Sequence, residues 1–141
     1  MSVLYTCCHT ASEIRQLHER LANLEWKSFE IDYSDAGCNV DMHEPDKVYL
    51  HAMPDSKGQQ QLLDLTKKIN VAMADGGLKV NHPRKSKFHM TLARVTRRYP
   101  TDAAVAAIKR MVFSDAGLRL RLCKFELDGK EYKASDSLNC L

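Results

Sequence analysis

In KFHMTLAR (87–94), His89 and Thr91 stand two positions apart in an apolar run with a basic residue at each end. On a strand, side chains two apart leave the same face. Imidazole can move a proton near neutral pH, and a neighbouring hydroxyl can hold a non-bridging oxygen, so the pair suits a phosphate. The flanks agree, since HPRKSKFHMTLARVTRR (82–98) carries Arg84, Lys85, Lys87, Arg94, Arg97 and Arg98 and no acidic residue. Such a stretch favours an anionic ligand, a phosphate ester or RNA; a solvated basic loop has the same composition. By alternation Lys87 shares the face of His89 and can approach the anion, while Arg94 points the other way and is given no direct role.

The elements that carry this pair follow from periodicity. VLYTCC (3–8) reads as a strand, and Thr10-Ala-Ser-Glu13 is a capping-box pattern opening a helix with Ile14, Leu17, Leu21 and Leu24 on one face. SFEIDY (28–33) alternates as a strand, DAGCNVDMHEPD reads as a loop broken by Gly37 and Pro45, and KVYLHA (47–52) is a strand ended by Pro54. Ser56 to Gln59 is a second capping-box candidate, followed by a stripe of Leu62, Leu65, Ile69 and Met73 that stops at Gly76-Gly77. FHMTLARV is the next strand, with Met90 and Leu92 directed away from His89 and toward helices. A helix with Val105, Ile108 and Val112 inward, a strand over 118–127, a turn at Asp128-Gly129 and a last strand in EYKASDSL complete the chain.

The order is βαββα followed by βαββ, so the second half repeats the first. SFEIDY matches CKFELD, and LYT (4–6) matches HMT (89–91). The expected fold is therefore α+β: one domain over 1–141, with pseudo-symmetric lobes of about 1–80 and 81–141. Its antiparallel sheets surround a central cleft, with the strands of Leu4–Thr6 and His89–Thr91 as neighbours.

Composition narrows the class. Hydrophobic residues make up 44% of 141, enough for a core, and no apolar run approaches the ~20 residues of a membrane helix. MSVLYTCC lacks a signal-peptide pattern, so five cysteines read as free thiols, and the cytoplasm or nucleus is expected. Cys7, Cys8, His9, Cys38 and His43 fit no zinc spacing, and no Gly-rich phosphate loop is present, so neither metal nor cofactor is expected.

PRKSKFHMTLAR, on a strand in a duplicated chain, resembles the second signature of the two-histidine (2H) phosphoesterases, which include LigT-like RNA 2′,3′-cyclic phosphodiesterases and 2′,5′-phosphodiesterases. The resemblance implies a bilobal fold with one His-x-Thr/Ser motif per lobe. It implies a metal-independent hydrolase in which one histidine is base, the other acid, and the hydroxyls steady the phosphate. Carried over by position, His89 and Thr91 occupy the second motif and Thr6 the first. The first histidine falls at Leu4, and three residues are candidates to replace it. His51 shares a strand face with Tyr49, opposite Val48 and Leu50; Tyr5 and His9 lie near the first motif. The expected partner is a nucleotide or RNA phosphodiester, with no membrane and no DNA.

Two other functions fit the same residues. One is a catalytically impaired nucleotide- or RNA-binding protein, because Leu4 stands in a histidine's place. The other is a ferredoxin-like RNA-binding domain over 3–95, although KVYLHA lacks the Gly and aromatic pattern of its stacking strand. Tyr49, Tyr132 and Phe88 can stack on a base or pack in a core.

Overall fold

A computed structural model of the chain describes residues 5–6, 10–77, 80–81, 88–96, 98, 101–113, 117–127 and 129–137. In chain order these hold β1 (Tyr5–Thr6), α1 (Ala11–Ala22), β2 (Phe29–Val40), β3 (Lys47–Pro54), α2 (Ser56–Ala74) and β4 (Val80–Asn81). Next come β5 (Met90–Thr96), α3 (Thr101–Val112), β6 (Leu118–Leu122), β7 (Lys124–Leu127) and β8 (Lys130–Lys133). The fold is α+β. The strands form a four-stranded sheet in the order β5-β3-β2-β6 and the two-stranded sheets β1-β4 and β7-β8. Among the described residues no helix is long and apolar enough to cross a membrane.

The chain divides into two compact units, and each takes segments from both sides of residue 80. The first combines 31–59 with 87–120; the second combines 2–30, 60–86 and 121–141. Of the two motif strands, β1 pairs with β4 in a two-stranded sheet and β5 pairs with β3 in the four-stranded sheet.

In the first unit β2 and β3 pair antiparallel from Tyr33↔Pro54 to Val40↔Val48, so DAGCNV is strand and not loop. Gly37 does not break β2. The pairing with β3 supplies its backbone partners, and a bulge between Tyr33 and Asp35 resets the alternation. The true loop is 41–46. There the Asp41 carboxylate accepts N–H bonds from His43 (2.9 Å) and Glu44 (3.2 Å), and the Asp41 and Lys47 backbones close the turn. Ile31, Tyr33, Val48, Leu50, Ala52 and Phe88 are buried in this unit. Met90 is half-buried and Leu92 is exposed, so Leu92 does not pack toward a helix as expected.

The second unit is built on amphipathic helices. The Thr10 hydroxyl accepts from Glu13 N–H (3.1 Å) and the Glu13 carboxylate accepts from Thr10 N–H (2.9 Å), the expected capping box of α1. Leu17 and Leu21 pack with Leu65, Ile69 and Met73, and with Trp26, Tyr132 and Ala134. The ring of Phe125 lies 5.6 Å from Trp26 and 5.3 Å from Tyr132, which joins β7 and β8 to that core. The strand expected over 118–127 is broken at Cys123, whose carbonyl accepts from Ala134 N–H at 2.8 Å. Beyond the break, β7 turns into a hairpin with β8 through Gly129 at φ 76°.

Candidate functional site

The site is built where β3 meets β5. Their pairing runs Tyr49↔Arg94 and Leu50↔Ala93, then jumps to His51↔Thr91. Unbroken alternation would set His51 opposite Leu92. Leu92 is instead the extra residue of a bulge, and His51 shares its face with Thr91. Gly37 on β2 is the partner of His51 on the other side. One cross-strand row therefore reads Gly37–His51–Thr91.

His89 precedes β5 and leans onto this row. Its ring centroid lies 4.7 Å from that of His51, with the planes tilted by 41°. His51 is 6% exposed, His89 is half-buried and Thr91 is exposed. The two rings touch, so no phosphate fits between them. A ligand arriving from solvent meets His89 and Thr91, with His51 behind.

Gln59, in the first turn of α2, fixes the chain just before His89. Its Oε1 accepts from Phe88 N–H at 2.7 Å and its Nε2 donates to Phe88 O at 2.8 Å, while the Phe88 ring is buried. The expected capping box from Ser56 to Gln59 does not form. Asp55 accepts the Gly58 N–H at 2.6 Å instead, which releases the Gln59 side chain for Phe88.

Arg94 is the register partner of Tyr49, which lies two before His51 on β3. The Leu92 bulge therefore puts Arg94 on the face of Thr91, and not on the other face as unbroken alternation had it. Its guanidinium bonds Asp41 at 3.2 Å and Glu44 at 2.5 Å and lies 5.5 Å above the Tyr49 ring. The His43 N–H, the Tyr49 hydroxyl, the Glu44 N–H and Arg94 together lower the Asp41 carboxyl to about 2, with the His43 bond the largest cause. The bond to Asp41 raises the Tyr49 phenol. This cluster orders the loop before β3 and takes the charge of Arg94 out of the basic stretch.

The structure thus brings together His51, His89 and Thr91. Tyr5 and Thr6 lie on β1, at Tyr5↔Asn81 and Thr6↔Val80. Leu4, His9 and Lys87 lie outside the described residues. Among the described residues no group of three or more His, Cys, Asp or Glu could hold a metal ion. The second unit carries a cleft of about 520 Å³ lined by Trp26, Phe29, Gln61, Leu65, Lys68 and Ser135, among others; no expected site residue lies on it. Periodicity gave no sign of the Leu92 bulge or of the part played by Gln59. Gln59 had a signal only as the expected capping-box partner of Ser56, and the Asp55 cap takes that place. No family model and no curated protein matches this chain.

Proposed function

We propose that this chain is a metal-independent phosphodiesterase acting on cyclic or 2′,5′-linked nucleotides or on RNA ends, in the cytoplasm or nucleus. The proposed fold is the duplicated two-lobed one of the 2H phosphoesterases, with β1 and β5 as equivalent strands. The observation that carries the reading is the exposed Thr91 beside a half-buried His89 whose ring packs on His51. His89 transfers the proton, and Thr91 donates a hydrogen bond to a non-bridging oxygen. His51 backs the His89 ring and limits its freedom, so His89 meets the phosphate in one orientation. Thr6, and Lys87 by its parity with His89, are assigned to the phosphate as well. Tyr5 and His9 remain the candidates for the second proton-transfer group on the substrate side.

A binding protein with impaired catalysis is favoured by one observation, the 6% exposure of His51. A mechanism with two histidines on the phosphate needs both to reach it, and only His89 of this pair faces solvent. Both readings are tested by incubating the chain with 2′,3′-cyclic nucleotides and 2′,5′-oligoadenylate in chelator and separating the products. Hydrolysis supports the enzyme. Micromolar binding without products supports the second reading.

A further inference from the structure

We infer that Gly37 is a positioning residue of the histidine pair: the hydrogen it carries in place of a Cβ is what lets the His51 ring lie across β2 and against His89. The inference rests on the reading of that pair as the centre that acts on substrate.

The geometry is direct. Gly37 and His51 are register partners. A Cβ built on Gly37 would stand 2.8 Å from His51 Nε2, 3.4 Å from Cδ2 and 3.6 Å from Cε1. The first distance is shorter than real Cβ contacts, so the ring would have to move. It has little freedom to do so, because it is buried and the His89 ring stands 4.7 Å away. The Gly37 backbone does not ask for glycine. The described glycines with positive φ are Gly77, Gly117 and Gly129, so alanine fits the β2 backbone. A glycine inside a strand otherwise lacks a side chain to pack and marks a place where another group comes close. Here the approaching group is an imidazole.

The test is a cycle of four chains: wild type, Gly37→Ala, His51→Ala and the double variant. The imidazole C–H resonances of His89 report the neighbouring ring through its ring current, which a loss of general stability does not shift. Gly37→Ala is expected to shift them in the wild-type background and to leave them unchanged once His51 is alanine. Turnover in Gly37→Ala is expected to fall toward that of His51→Ala, and the double variant to fall no further. Should Gly37→Ala fail to fold, the double variant is expected to fold, since the ring that meets the new methyl is gone. The inference is overturned if the His89 resonances stay in place in Gly37→Ala, if they shift equally in both backgrounds, or if both Gly37 variants fail to fold while His51→Ala folds. Absence of turnover in the wild type would remove the phosphodiesterase reading, and the resonances would still decide the role of Gly37.

Discussion

The rings of His51 and His89 lie with centroids 4.7 Å apart, one buried on β3 and the other half-buried at the entrance of β5. Contact at this distance makes them a unit with an inner and an outer member. In the proposed mechanism the outer member meets the ligand, and the inner one governs where its neighbour points.

Substitutions at the two histidines are therefore expected to differ. Loss of a general acid–base group costs roughly 10²–10⁴-fold in rate. His51→Ala should lower the rate by less than that, and addition of free imidazole should not restore it, because the space left lies beneath His89. Initial rates with and without imidazole check this.

Gln59→Leu removes both bonds to the Phe88 backbone. Leaving those groups unsatisfied is expected to cost about 1–3 kcal/mol, read from urea unfolding. Gln59→Glu keeps the acceptor for Phe88 N–H but sets a carboxylate oxygen against Phe88 O, acceptor facing acceptor, so it should be destabilised as well. A Gln59→Glu chain as stable as the wild type would show that the bond to Phe88 O adds nothing to the clamp.

The loop at 41–46 carries a pH dependence. The Asp41 carboxyl titrates at about 2 in the folded chain, below the ~3.9 of an unperturbed aspartate. Between these values the unfolded chain binds more protons, so stability rises with pH across that window. The contribution of Asp41 is present above about 4 and is lost as pH falls through about 2. The amide resonances of His43 and Glu44 should follow it with a midpoint near 2. Tyr49→Phe should raise that midpoint more than Arg94→Ala does, because the tyrosine bond is the larger cause.

Adjacent residues on α2 separate core from surface. Leu62 is 0% exposed and Leu63 is 38% exposed. Leu62→Ala is expected to destabilise by about 2–5 kcal/mol and Leu63→Ala by about 0.5 kcal/mol or less, from urea midpoints.

Local signals in the sequence carried much of the fold. The stripe Leu62, Leu65, Ile69 and Met73 is buried, and Thr10 with Glu13 forms its capping box, because both depend on helix geometry within a few residues. The parts that were not legible depend on partners distant in sequence. Gly37 reads as a breaker by itself, but β3 pairs across it, and its lack of a side chain answers to His51. The bulge at Leu92 exists only in the register with β3, and the break at Cys123 lies between strands of two different sheets. At the candidate site, His89 and Thr91 are singled out by their spacing, and His51 by its strand face. Their meeting depended on a one-residue shift that periodicity does not record.

The central claim, that His89 performs proton transfer on a phosphodiester, is tested most directly by comparing wild type and His89→Ala in chelator on whichever cyclic or 2′,5′-linked substrate the wild type cleaves. The expected result is a loss of roughly 10²–10⁴-fold in turnover with substrate binding largely retained. A His89→Ala chain that turns over at the wild-type rate would contradict the account.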